Sequence, residues 1–162
     1  MNTYGHKFDE LVSDNNETMA KAENSYNAGT YTRSVDSGGK YSVEINNISR
    51  QISDWMNGKM KPYQAFEFGK TPDVIVNLGA ERLPVIMTQD VMKKITKDKH
   101  NVTIDNVKNL YSAISEPIMV FNSNAVPNAY VILTDLKDGA GDSVIAAMHL
   151  SRKQNRIVVN RI

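Results

Sequence analysis

The last third of the chain constrains the fold most, because it consists of four strand-like segments joined by short polar connections. Each segment is rich in Val, Ile and aromatic residues and is bounded by Pro, Gly, Asn or Asp. The segments are PIMVFNS (117–123), AYVILTDL (129–136), DSVIAAMHLS (142–151) and RIVVNRI (156–162). A parallel return needs a crossover of about a dozen residues or more, so these connections predict a four-stranded antiparallel meander.

Helical patterns precede the strands. Ile45, Ile48, Ile52 and Trp55 recur at helical spacing, and Asn57-Gly58 ends that pattern. AFEFGKT and LPVIM look extended. Further short helices are predicted to begin at three threonine N-caps: Thr71, Thr88 and Thr103. Helices followed by a meander predict the α+β class, with N-terminal helices packed on one side of an antiparallel sheet.

Composition divides the chain into two parts. Residues 1–44 are polar and predict a partly flexible extension with a short helix at 4–22, whereas residues 45–162 predict one α+β domain. The chain has no cysteine, which excludes disulfides and thiol chemistry. No apolar run approaches the roughly 20 residues of a membrane span, so we expect a soluble protein of the cytoplasm with no membrane partner.

Two basic clusters stand out in a chain whose net charge is only +1. Such clusters are often solvated surface, but they also suit binding to phosphates, so an RNA partner is one interpretation. The candidate RNA-binding residues are Lys93, Lys94, Lys97, Arg152, Lys153, Arg156 and Arg161. No calcium, zinc or phosphate-loop pattern is present in the sequence, so no metal ligand or cofactor is predicted.

A series of motifs resembles a known family. FGKTPDVIVNLGAERLPVIMTQDVMKKITKDKH, followed by EPIMVFNS, VILTDLKD, SVIAAMHL and VVNRI, is similar to the C-terminal toxin domain of phage MuF-type head proteins and mobile-element polyproteins. The resemblance covers roughly residues 49–162. It implies a ribonuclease fold of the barnase, EndoU and RelE-like type. The family's last strand continues into a further segment, whereas this sequence stops at VVNRI.

The resemblance implies RNA cleavage without a metal. The ribose 2′-hydroxyl attacks the adjacent phosphorus while side chains move protons and stabilise the added charge. Histidine suits the proton transfer, because its pKa lies near neutrality. The positions that match the family pattern are Lys99, His100, Ser123, Thr134 and His149, and Asp135 stands where the family usually has Glu.

Strand alternation adds a constraint on this site. Successive side chains point to opposite faces, so Thr134 and Asp135 share a cleft only if a bulge intervenes. His149 is predicted to point away from the apolar face formed by Ala146, Met148 and Leu150. A second expectation concerns the last strand, which as an exposed sheet edge would be able to pair with a second copy.

Two functional classes remain open at the sequence level. One is a phage or mobile-element ribonuclease or toxin that acts on RNA in the host cytoplasm. The other is an inhibitor of host defence, of the anti-CRISPR type, that binds or cleaves guide RNA or blocks an RNA-guided effector protein with a degenerate nuclease fold. A structural role in a phage head is a weaker third interpretation.

Overall fold

A six-stranded mixed sheet organises the residues that the computed structural model describes, which are 39–97 and 100–162. The elements in chain order are α1 (Ser42–Met56), β1 (Ala65–Lys70), α2 (Asp73–Asn77), β2 (Pro84–Thr88), α3 (Gln89–Ile95), α4 (Ile104–Ser115), β3 (Met119–Asn122), β4 (Ala129–Lys137), β5 (Ser143–Gln154) and β6 (Ile157–Arg161). The α+β class is therefore confirmed. The helix predicted at residues 4–22 lies outside the described residues.

The strand order is β1-β2-β6-β5-β4-β3. The four predicted strands lie side by side as an antiparallel meander, β3 to β6. The prediction of a four-stranded antiparallel sheet is nevertheless wrong for the sheet as a whole, because β1 and β2 extend it and β2 pairs with β6 in parallel. Both added strands were predicted as extended segments, but nothing in the local pattern of β2 indicated β6, 75 residues further along the chain, as its partner.

The last strand is not an edge, contrary to the sequence-based expectation. β6 lies between β2 and β5, and the edges are β1 and β3. At the β1 edge, the Gln51 side chain accepts from the Glu67 amide and donates to the Glu67 carbonyl, both at 2.8 Å. These two bonds occupy outward-facing backbone groups and protect the edge from pairing with another strand.

The core lies on one side of the sheet, between the strands and the helices. Ile48 and Ile52 of α1 and Val107, Leu110 and Ile114 of α4 are buried against the inward-facing side chains of the sheet. The predicted periodicity of α1 and α4 is confirmed, and Thr103 caps α4 through a capping box with Asn106. None of the helices in the described ranges is long and apolar enough to cross a membrane.

A close approach joins α4 to the edge strand β1. The Tyr111 hydroxyl donates to the Lys70 carbonyl at 2.6 Å. Gly69 has φ of 137°, and a Cβ built there would lie 3.1 Å from the Tyr111 ring. Glycine is therefore required at this position both for the backbone conformation and for the space that the ring occupies.

Asn160 joins the meander to the first half of the unit. Its side chain is fully buried, and its Nδ2 donates to Thr71 Oγ1 at 2.8 Å and to the Glu81 carbonyl at 3.1 Å. Its Oδ1 accepts from the Ser151 amide at 2.8 Å. The prediction of Thr71 as an N-cap is wrong, since Pro72 caps α2 and the Thr71 hydroxyl is used in this buried network instead.

We predict that Asn160→Ala lowers the free energy of unfolding by about 1–3 kcal/mol, because it removes the acceptor of the Ser151 amide and the buried hydrogen bond to Thr71 Oγ1. Denaturant unfolding monitored by circular dichroism measures the change. Asn122→Ala is the matched control, since Asn122 is exposed on β3; a loss within about 0.5 kcal/mol is expected there. Equal losses in both variants would contradict the role given to Asn160.

Candidate functional site

The face of the sheet that points away from the helices carries a row of side chains across five strands. The buried residues of all four described helices belong to the core on the other side, so we call this second side the open face. Strand register places one residue of each strand in the row, in the order Glu67, Ile86, Arg161, His149 and Ala129. The predicted orientation of His149 is confirmed, because Ala146, Met148 and Leu150 are buried on the core side.

A backbone irregularity brings Arg152 to the same face as His149. In a regular strand, residues three apart point to opposite faces. Here three steps along β5 match two steps along β6, because His149 pairs with Arg161 and Arg152 with Val159. The extra residue is a β-bulge at Ser151, whose φ is 49°. His149, Arg152 and Arg161 therefore form one cluster, the His149 site.

The cluster changes the protonation of its histidine. Burial lowers the pKa of His149 below its usual value of about 6.5, and the positive charges of Arg152 and Arg161 lower it further. The imidazole is therefore neutral at pH 7 and is able to accept a proton. Arg152 Nε is buried and makes no hydrogen bond to the part of the chain that the structure describes.

A buried, unpaired guanidinium donor is unusual in a folded protein and calls for a partner. Two guanidinium groups beside a neutral imidazole suit a phosphate group, which guanidinium binds through parallel hydrogen bonds. What the His149 site is able to do chemically is to hold an anion and to take up a proton next to it.

The other sequence-predicted catalytic residues on the sheet, Thr134, Asp135 and Ser123, occupy three different surroundings. The Thr134 side chain is fully buried, and its hydroxyl donates to the Val144 carbonyl at 2.6 Å. Asp135 is exposed, so the two neighbours do not share a cleft. The Ser123 hydroxyl accepts from the Val126 amide at 3.0 Å in the β3–β4 connection. Thr134 and Asp135 lie in the part of β4 away from His149, whereas the Ser123 amide donates to the carbonyl of Ala129, the register partner of His149, at 2.9 Å.

His100 lies at the other end of the β4–β5 hairpin from His149. The neighbouring Asn101 carbonyl accepts from the Gly139 amide at 2.8 Å, next to the hairpin turn. Ser143 opens β5 at that turn, and His149 follows six residues later, which is roughly 20 Å along a strand. The two histidines are therefore not brought together. Lys99 lies outside the described residues.

The two basic clusters of the sequence approach each other in space. Lys93, Lys94 and Lys97 are exposed at and beyond the end of α3, and Lys153 and Arg156 are exposed at the end of the β5–β6 hairpin. One cavity of about 390 Å³ has Lys93 on one side and Gln154 and Asn155 of the hairpin on the other. An adjoining cavity of about 480 Å³ includes Glu67 and Ile86 of the open-face row.

Six residues line both cavities, and we call the combined space the Tyr63 groove. They are Met60, Tyr63, Gln64, Ala65, Gln154 and Asn155. Sequence reasoning missed this groove, because its walls come from the loop after α1 and from a hairpin turn about 90 residues later. The only available signals were the aromatic Tyr63 between charged and polar residues and the basic character of the two flanking segments. Within the described ranges, no group of three or more His, Asp or Glu residues is arranged to hold a metal ion.

Comparison with known proteins identifies one similarity. Residues 91–162 match the family model described as the phage MuF-C-terminal domain. The match begins in α3 and covers α4 and the whole meander, including the His149 site. No curated protein and no solved structure matches the chain.

We predict that His149 titrates by NMR below the ordinary midpoint of about 6.5, and that Arg161→Gln moves its midpoint upward. Because the folded state binds this proton less readily than the unfolded state, the contribution of His149 to stability is full above about pH 6.5 and is lost as the pH falls below that value. Lys137→Gln, which removes an exposed charge at the opposite end of β4, leaves the midpoint unchanged. A midpoint that does not respond to Arg161→Gln would contradict this electrostatic account.

Proposed function

We propose that this chain is a phage or mobile-element protein whose C-terminal part binds RNA and cleaves it at the His149 site. The observation that carries the proposal is the cluster of a neutral imidazole with two guanidinium groups, one of which has a buried donor without a partner. The match of residues 91–162 to a phage domain supports a phage or mobile-element origin of this chain. The motif resemblance to ribonucleases of the barnase, EndoU and RelE-like type supports RNA as the substrate, and hence action in the host cytoplasm as a toxin.

The proposed reaction is a transesterification at a phosphodiester. His149 accepts the proton of the ribose 2′-hydroxyl, the 2′-oxygen forms a bond to phosphorus, and the bond from phosphorus to the 5′-oxygen breaks. The leaving oxygen takes a proton from water. Arg152 and Arg161 stabilise the additional negative charge on the phosphorus oxygens, where charge-assisted hydrogen bonds are strongest. The products are a 2′,3′-cyclic phosphate and a 5′-hydroxyl.

One observation favours a second candidate, which is RNA binding without cleavage. His100 and His149, the two predicted proton carriers, lie at opposite ends of the β4–β5 hairpin. A site at which the described residues 39–97 and 100–162 supply one base and no second proton carrier gains less from acid–base catalysis. In this case the chain is an inhibitor of a host defence system, of the anti-CRISPR type, that holds guide RNA or blocks an RNA-guided effector protein.

We predict that the purified chain cuts total RNA in the presence of EDTA, and that His149→Ala lowers the rate by about 10²–10⁴-fold through loss of the general base. Gel analysis and mapping of the new 5′-hydroxyl ends measure the effect. His100→Ala is the matched control and keeps the activity. If His100→Ala loses the cleavage activity and His149→Ala retains it, the chemistry takes place at the other end of the hairpin and the proposal is contradicted.

RNA binding by Arg152→Gln distinguishes the two candidates. Suppose that neither the wild type nor any variant cuts RNA, but that the wild type binds RNA and Arg152→Gln binds it more weakly. The site then holds phosphate without catalysis, which favours the inhibitor interpretation. Inhibition of guide-RNA loading into an effector then becomes the relevant assay. If the wild type neither cuts nor binds RNA, both candidates are wrong. Thermal melting of each variant tests whether a loss of RNA cleavage or RNA binding comes from unfolding.

A further inference from the structure

We infer that the Tyr63 groove holds a single-stranded segment of the RNA, with a nucleobase stacked on the Tyr63 ring. This inference rests on the proposed RNA function and specifies the form of RNA that the site accepts. Tyr63 is 66% exposed, although it is a large aromatic residue in a loop between α1 and β1. An exposed ring at the wall of a polar groove offers a face that stacking partners use and that packing within the described unit does not.

The backbone turn that carries the Tyr63 ring is tied to α3. The Lys61 amide donates to Gln64 Oε1 at 2.7 Å, which closes the turn that contains Tyr63. Gln89 Nε2, at the start of α3, donates to the Lys61 carbonyl at 2.7 Å and to the Gln64 carbonyl at 2.9 Å. Because the turn is tied to a helix, little conformational entropy remains to be lost when a base stacks on the ring.

A cation accompanies the ring. The Lys61 ammonium lies 5.9 Å from the centre of the Tyr63 ring, within the range of a cation–π contact. Lys59 and Arg50 line one end of the groove, and Lys93 lines the other. Phosphates on either side of a stacked base would therefore meet positive charge, which is the usual combination in grooves for single-stranded nucleic acid.

The remaining groove residues suit base edges better than phosphates. Asp54, Glu67 and Asp90 are acidic, so the groove is mixed in charge and is not a simple anion site. Gln154 and Asn155 present amide groups, each with hydrogen-bond donors and an acceptor. Amides and carboxylates form hydrogen bonds with the edges of unpaired bases, which are accessible only when the strand is single.

The groove extends from α1 to the face of the sheet that carries the His149 site. Ile86 lines the groove and pairs with Arg161, which in turn pairs with His149. Ile86 and His149 are thus two strands apart, which corresponds to roughly 10 Å. One RNA strand a few nucleotides long is able to contact Tyr63 while a phosphate lies at the guanidinium groups of Arg152 and Arg161.

Fluorescence anisotropy with labelled RNA tests the inference. The probes are a single-stranded oligoribonucleotide without secondary structure, a duplex of the same length and an abasic version of the single strand. For the single strand, we expect at least about fivefold weaker binding by Tyr63→Leu than by the wild type and near wild-type binding by Tyr63→Phe, since stacking needs a ring and not a hydroxyl. With the abasic strand, Tyr63→Leu and the wild type bind equally.

Phe121→Leu is the matched control, because Phe121 is also an exposed aromatic residue but lies on the opposite edge strand, β3. Its affinity for the single strand equals that of the wild type. Equal losses of affinity for the single strand in Tyr63→Leu and Phe121→Leu would overturn the inference. Tighter binding of the duplex than of the single strand by the wild type would also overturn it. If the wild type binds RNA but Tyr63→Leu binds it equally well, the groove is excluded while the His149 proposal stands. No RNA binding by the wild type removes both.

Discussion

The parallel pairing of β2 with β6 is the contact on which the rest of the unit depends. It joins the segment before α3 to the meander through only a short register, Val85 to Asn160 and Ile86 to Arg161. Asn160 strengthens this joint, because its buried amide bonds both to the loop after α2 and to the bulge of β5. Together with the contact of α4 with β1, this joint holds the groove walls and the open-face row in a fixed relation, although they come from separate pieces of chain.

The Asn160 side-chain amide also connects this joint to the His149 site. Asn160 accepts a hydrogen bond from Ser151, the bulge residue that adopts positive φ. This bulge turns Arg152 toward His149, and burial together with the positive charges of Arg152 and Arg161 lowers the pKa of the imidazole. A local backbone irregularity thus gathers positive charge beside a neutral imidazole, which a regular strand with the identical sequence would not do. Bulges next to functional sites commonly aim side chains in this way.

The arrangement changes how RNA chemistry is expected to work in this chain. Two histidines that exchange roles as acid and base require both to reach one phosphate, and the β4–β5 hairpin separates His100 from His149. In the cleavage reaction that we propose, charge stabilisation by two guanidinium groups would then be the main contribution of the site, with one base beside them. Substrate position would depend on contacts away from the reacting phosphate, and the Tyr63 groove offers such contacts on the same face of the sheet.

Local pattern alone predicted the strands of the meander, the helices α1 and α4 and the outward orientation of His149, because alternation and helical spacing depend on neighbours in sequence. The basic clusters were also visible, as were the individual residues of the site. The partners of β1 and β2, the bulge at Ser151, the separation of His100 from His149 and the Tyr63 groove were decided only by tertiary structure. Each depends on contacts between residues far apart in the chain, and such contacts leave no periodic signal in a single sequence.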